Sequence, residues 1–196
     1  MLAGGTSRRF GRVPKGLEIV GDERVVDRVV RAVRQVTPEL IMVANDSEAN
    51  KWLPGVAVVA DLHPGAGGMA GVEAALSRGR DALVVAWDMP FVTPLLLQAL
   101  IHEAIVHDAD VTVPESDSPY GYEPFCAYYS VRVRHSLAKF FDGGGGAARD
   151  FLGQIPRVHR IPISAVEQLG DPRRLFFSVN TPADLERARA MAASPK

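Results

Sequence analysis

The chain has a single cysteine, Cys126, so no intrachain disulfide can form and no second thiol is available for a Cys-pair zinc site. That scarcity favours a reducing compartment, and a cytoplasmic protein is expected. Long apolar runs are missing too: every one is well short of the ~18 residues that span a bilayer. No basic segment followed by an apolar core opens the sequence, so neither export nor membrane insertion is expected. Nor does one sign of charge dominate. The 22 Lys and Arg residues against 23 Asp and Glu leave a formal charge of -1, so no global positive field advertises a nucleic-acid or anionic-membrane partner. Anion binding must therefore be local.

What remains is an ordinary globular composition, 47% hydrophobic and 23% charged, over 196 residues, which predicts one domain spanning 1–196. No repeat of 20 to 50 residues appears, and Gly143 to Gly146 is the only low-complexity stretch, read as an inter-helix linker. Leu40–Ala44, Val56–Ala60 and Ala82–Ala86 are short β-rich runs, apolar on both faces, as buried parallel strands require.

Helical patterns separate them. Val25, Val26, Val29, Val30, Val33 and Val36 recur at i, i+3, i+4 spacing, with Arg28, Arg31 and Arg34 placed outward. Met69–Ser77 and Pro94–His107 read likewise, the second with Thr93 as cap and Pro94 at the first helical position. Beyond Pro114, Tyr120–Tyr129 predicts a pair of strands, and Val131–Phe141 and Ala147–Ile155 two helices. Thr181-Pro182-Ala183-Asp184 then opens a C-terminal helix running to about Ala193. The alternation predicts a doubly wound α/β fold with a mostly parallel sheet flanked by helices.

In such sheets ligands sit beyond the carboxyl ends of the strands, which directs attention to Asn45, Asp61 and Asp88. The first loop, Leu2 to Gly16, combines glycines, hydroxyls and the cations Arg9 and Lys15. Glycines let backbone N–H groups approach an anion, and the cations would neutralise a polyphosphate; a solvated glycine-rich turn has the same composition. The loop lacks the Gly-Lys-Ser/Thr of a P-loop and the Gly-x-Gly-x-x-Gly of a dinucleotide site. Asp88, before Met89-Pro90, could anchor a magnesium ion whose other ligands come from phosphates and water, or simply cap a turn. A second glycine-rich segment, Pro64 to Gly71, leads into a helix N-terminus, where a base or phosphate could lodge if it is more than a βα loop. His63, His102, His107, His135 and His159 show no metal-ligand spacing and read as surface or packing residues. Cys126, between Phe125 and Ala127, reads as a buried, inert thiol, and no Gly-x-Ser-x-Gly context supports a hydrolase.

The opening Leu-Ala-Gly-Gly-x-Ser-x-Arg-Phe-Gly, with Lys15 after it, is similar to the signature of nucleotidyltransferases. Pro64-Gly65 to Gly71, Asp88-Met89-Pro90-Phe91, Glu123 to Tyr128 and Asn180-Thr181-Pro182 follow in the order of one branch. Over nearly its whole length the chain resembles the molybdenum cofactor guanylyltransferase family, which joins GMP from GTP to molybdopterin and releases pyrophosphate. The resemblance implies a doubly wound nucleotide-diphospho-sugar transferase-like domain. It implies that Leu2, Ala3, Gly4 and Gly5 line the nucleotide and that Arg9 and Lys15 bind its phosphates. Asn45 and Asp61 would hold the guanosine portion, Asp88 a Mg2+ ion, and Asn180 the neighbourhood of the molybdopterin phosphate.

Three features depart from the family pattern: Pro14 where an acid usually precedes the lysine, Gly68 where proline is frequent, and Ser178 in place of the first asparagine of an Asn-x-Asn pair. Only Met1 precedes Leu2, so either the family's first buried strand is expected to be nearly missing or the natural start to lie further upstream. GTP and molybdopterin are the expected substrates, with molybdoenzymes or cofactor-delivery proteins as further partners. Transfer of CMP to molybdopterin, transfer of a nucleotide to a sugar phosphate, and a non-catalytic nucleotide-binding relative remain alternatives.

Overall fold

A computed structural model describes residues 1–4 and 14–193. A 3-10 turn, Lys15–Leu17, precedes a small antiparallel hairpin of β1 (Ile19–Val20) and β2 (Glu23–Arg24). Then come α1 (Val25–Arg34), β3 (Ile41–Val43), α2 (Ala49–Trp52), β4 (Ala57–Val59), α3 (Gly68–Leu76), β5 (Ala82–Val85) and α4 (Pro94–Val106). The remainder comprises β6 (Val111–Pro114), β7 (Cys126–Tyr129), α5 (Arg134–Asp142), α6 (Ala148–Leu152), β8 (Val158–Ile161), α7 (Ile163–Leu169), α8 (Pro172–Leu175) and α9 (Pro182–Ala193).

β3 and β4 pair in parallel, and β5, β7, β6 and β8 form a four-stranded sheet in that order. Met1 to Ala3 joins the two groups, with Leu2 bridging Val43 on one side and Ala86 on the other, both in parallel. Leu2 N–H donates to Val85 O and Ala3 N–H to Val43 O, each at 2.8 Å. Three residues therefore fill the central slot that was expected to be nearly vacant, because each exchanges backbone hydrogen bonds with a strand already in place. β7 runs antiparallel to both β5 and β6, while β6 and β8 are parallel.

Helices cover both faces. Val26, Val29 and Val33 of α1 pack with Leu96, Leu97 and Leu100 of α4 and Val166 of α7 on one side. On the other, Met69, Val72 and Leu76 of α3 pack with Leu137, Phe140, Phe141 and Phe151 from α5 and α6. α3 is apolar except for Glu73 and is buried on nearly every side. The predicted caps form: Thr93 Oγ1 accepts from Leu96 N–H at 3.3 Å, and Thr181 Oγ1 accepts from Asp184 N–H at 3.1 Å. No helix among the described residues is long and apolar enough to cross a membrane.

Several expectations need correction. Arg28 does not face outward; its side chain folds over the hairpin and donates to Val20 O at 2.9 Å. β4 lies at the edge of the sheet with Ala57 exposed, so it is not buried on both faces. Tyr120–Tyr129 contains one strand, β7; Tyr122 makes only an isolated bridge to Glu115, because the intervening loop is closed by Ser116 and Ser118 hydrogen bonds instead of a ladder. Residues 131–133 form a 3-10 turn before α5. Gly143 to Gly146 links α5 to α6, and Gly145 N–H closes the turn on Phe140 O at 2.9 Å.

Candidate active site

The parallel strands end together, and the residues just after them face one cleft. Leu2, Ala3 and Gly4 from the central segment, Asn45 beyond β3, Asp61 beyond β4 and Asp88 beyond β5 all line a cavity of about 1110 Å³. This is where an open α/β sheet exposes strand-end backbone and leaves room for a ligand. Gly65, Gly67, Gly68 and Gly71 line the same cleft from the loop and first turn of α3. Gly65 and Gly67 have positive φ, whereas at Gly68 and Gly71 small size is required. A Cβ on Gly68 would stand 2.5 Å from the Phe125 ring, and one on Gly71 would stand 2.9 Å from Leu2 Cδ2 and 3.5 Å from Asp61 Oδ1.

Two polar groups face this cleft. In the first, Asn45 Nδ2 donates to Asp61 Oδ2 at 2.8 Å, and Asp61 N–H donates to Asn45 Oδ1 at 2.9 Å. The reciprocal pair holds the Asp61 carboxylate in one orientation. In the second, Lys15 Nζ forms an ion pair with Asp88 and donates to Asn180 Oδ1 at 2.7 Å. Lys15 and Asp88 side chains are only 12% and 9% exposed, so solvent screens this pair far less than an ordinary surface bridge. Asn180 is held from both sides: Val179 N–H donates to Asp88 O at 2.9 Å, and Asn180 N–H donates to Asp184 Oδ2 at 3.2 Å. The α9 cap thereby positions a residue that lies 165 positions from Lys15 in the chain.

Aromatic rings form the wall beside Asp88. Trp87 stacks on Trp52 with ring centroids 4.9 Å apart, and both line the cleft. Glu123 lies on the opposite rim, where burial pushes its carboxyl above the usual range while hydrogen bonds from Ser116 and Ser118 oppose the shift. Cys126 is fully buried and burial raises its thiol far above the ordinary value, as an inert packing residue requires.

Of the residues singled out in the sequence, Leu2, Ala3, Gly4, Asn45, Asp61, Asp88 and Asn180 line the cleft, and Lys15 reaches it through Asp88 and Asn180. Gly5 and Arg9 lie outside the described residues. Trp52, Trp87, Ser118 and Phe176 are cleft residues that the sequence reading missed. Trp87 adjoins Asp88 and could have been suspected; the others carry no local signal.

The family model of the MobA-like NTP transferase domain matches residues 1–159. The chain belongs to the MobA-like NTP transferase family. The "Probable molybdenum cofactor guanylyltransferase" of Pelotomaculum thermopropionicum is 34% identical over 100% of this chain and 93% of its own length. The molybdenum cofactor guanylyltransferase of Desulfosudis oleivorans is 32% identical over 97% of this chain and 93% of its own. Among solved structures, molybdopterin-guanine dinucleotide biosynthesis protein A of Archaeoglobus fulgidus superposes with a TM-score of 0.82 at 28% identity, covering 98% of this chain and 96% of that one.

Proposed function

We propose that this MobA-like NTP transferase moves GMP from GTP to the phosphate of molybdopterin and releases pyrophosphate. The observation that carries the reading is the convergence of Lys15, Asp88 and Asn180 at the rim of the cleft that Asn45 and Asp61 also line. The relatives' shared name supports the choice of nucleotide and acceptor.

A phosphomonoester has its second pKa near 6, so the acceptor is already largely a dianion at neutral pH and needs no general base. The difficulty is electrostatic. Two unit charges 4 Å apart repel by ~1 kcal/mol in water and ~4 kcal/mol at an effective dielectric of 20. Fixed cations at the cleft must offset that repulsion, and Lys15 is placed to do so as pyrophosphate leaves.

Asp88 and Asn180 direct two oxygens at one cation, the Lys15 ammonium. A carboxylate and an amide oxygen are a donor set that suits Mg2+, which completes its shell with phosphate oxygens and water. Bound at Asp88, Mg2+ would supply charge neutralisation on the triphosphate. With Mg2+ held at Asp88, the Lys15 ammonium would be available to the phosphates. Asn45 fixes Asp61 so that its Oδ1, beside the bare Cα of Gly71, faces the donor edge of a guanine. Arg9 joins Lys15 on the phosphates in this scheme. The lone buried thiol suits a cytoplasmic setting.

The test is a panel of GTP, CTP, UTP and ATP with Mg2+ and molybdopterin, read by pyrophosphate release. GTP is expected to be the substrate used; preference for a pyrimidine nucleotide would overturn the guanylyl assignment.

A further inference from the structure

Far from this cleft, the C-terminal end of α4 meets the edge strand β8. Thr93 and Pro94 begin α4 beside the Asp88 loop, and Glu103 stands ten residues on, ~15 Å further along the helix axis at 1.5 Å per residue. Glu103 and His107 are four positions apart and therefore share one side of the helix end. Across from them His159 projects from β8, in register with Thr112 of β6. In sequence these two histidines stand 52 positions apart, and no metal-ligand spacing connects them. The sheet brings them together.

The geometry is that of a chelate. His107 Nε2 and His159 Nε2 each lie 3.2 Å from the same atom, Glu103 Oε2, and the three potential ligand atoms are all within 4.8 Å of one another. Ligand bonds of about 2.0–2.2 Å at tetrahedral angles put neighbouring donors ~3.4 Å apart, close to the two 3.2 Å separations from Glu103 Oε2. His159 Nε2 is shielded from solvent, and its 3.2 Å approach to Glu103 Oε2 lacks hydrogen-bond geometry, so the carboxylate contact does not fully satisfy it. The imidazoles of His107 and His159 are stacked, with centroids 3.8 Å apart and planes 14° apart. Both lone pairs can meet one ion only if the rings splay, and His107, whose side chain is 47% exposed, has room to turn.

We infer that Glu103, His107 and His159 bind a late first-row divalent metal ion of the Zn2+ class, which ties the edge strand β8 to α4. Two imidazoles and one carboxylate are the donors such ions select, whereas Mg2+ and Ca2+ prefer oxygen alone. Water completes the coordination on the exposed side. The site is separate from Asp88 in place and in chemistry, and it does not depend on the nucleotidyl-transfer reading.

Metal-stripped protein titrated with Co2+ reports the site through the strong visible absorption of low-coordinate cobalt, and Zn2+ should compete it away. Wild type and the Asp88→Asn variant are expected to give the same saturable signal. His107→Ala and Glu103→Gln should weaken binding at least ~100-fold, since even groups that only support a ligand are worth about 10–100-fold. His102→Ala, an exposed neighbour on the same helix, should leave it unchanged. Because a ligand that binds only the folded chain raises its melting temperature, Zn2+ should stabilise wild type and leave His107→Ala unaffected. Absence of saturable Co2+ binding in wild type, equal affinity in His107→Ala, or loss of the signal in Asp88→Asn alone would each overturn the assignment.

Discussion

Substituting Gly16 by alanine tests how the amino-terminal turn is seated against the cleft. A Cβ at this position would stand 2.3 Å from Trp87 Cε3, 2.6 Å from Cδ2 and 2.7 Å from Cζ3. Carbon atoms settle at about 3.5–4.0 Å, so more than ~1 Å of displacement is needed. Trp87 has nowhere to go: it is 2% exposed, its ring is stacked on Trp52, and its backbone N–H donates to Leu2 O at 3.0 Å inside the sheet. The turn Lys15–Leu17 must therefore move instead. Overpacking of this kind costs about 1–3 kcal/mol. Gly16 does not have a positive φ, so no backbone strain adds to the clash.

The same movement displaces Lys15, whose ammonium is fixed between Asp88 and Asn180. A misplacement of about 1 Å in a positioning group lowers turnover by on the order of 10²-fold. Gly16→Ala should therefore lower the urea midpoint and reduce pyrophosphate release together. Trp87→Leu introduced into Gly16→Ala should recover part of the stability, with a coupling of about 0.5–3 kcal/mol in a double-mutant cycle. Stability within about 0.5 kcal/mol of wild type with unchanged turnover would refute the reasoning, as would strictly additive effects in the cycle.

Two further substitutions address the site and the sheet. Asp88→Asn keeps the side-chain shape but leaves Lys15 with Asn180 as its remaining partner, and pyrophosphate release should fall about 10²–10³-fold, as for loss of a charge-stabilising group, while urea unfolding stays cooperative; near-normal turnover would remove Asp88 from the chemistry. At the start of β5, burial works against the Asp81 carboxylate, but hydrogen bonds from Tyr128, Val131 N–H and Ser130 together outweigh it and hold its carboxyl below the usual range. A depressed folded-state pKa contributes stability above the unfolded value of about 3.9, and this is lost as pH falls through the folded value. Asp81→Asn should thus be less stable than wild type at pH 7, by no more than ~1 kcal/mol because the residue is exposed, and the gap should close below about pH 4; a gap of equal size at pH 3 would contradict this.

The chain's local features were legible because they depend on neighbours within a few residues. The valines of α1, the Thr93-Pro94 and Thr181 to Asp184 caps, and the apolar runs of β3 and β5 each carry their own signal in periodicity or in hydrogen-bonding side chains. β8, α7 and α8 were not anticipated. His159 and Arg160 interrupt the apolar pattern of β8, so its strand rests on pairing with β6; α8 has only four residues, too few to show a period, although Asp171 caps it and Pro172 opens it. The side chain of Arg28 was misplaced for the same reason: helical periodicity says which way it leaves the axis, and the hairpin packed on α1 says where it ends.

Sequence alone determined the alternation of strands and helices, the strand-end position of Asn45, Asp61 and Asp88, and the glycine and lysine content of the first loop. Those properties follow from chemistry that acts over one or two turns of chain. Tertiary structure decided the partners: Lys15 with Asp88 and Asn180, Asn45 with Asp61, Trp52 with Trp87, and His159 with Glu103 and His107. Each of these meetings joins residues from different elements. A folded sheet sets the order and register of its strands by burying both faces at once, and only that global packing brings side chains so distant in sequence within bonding distance.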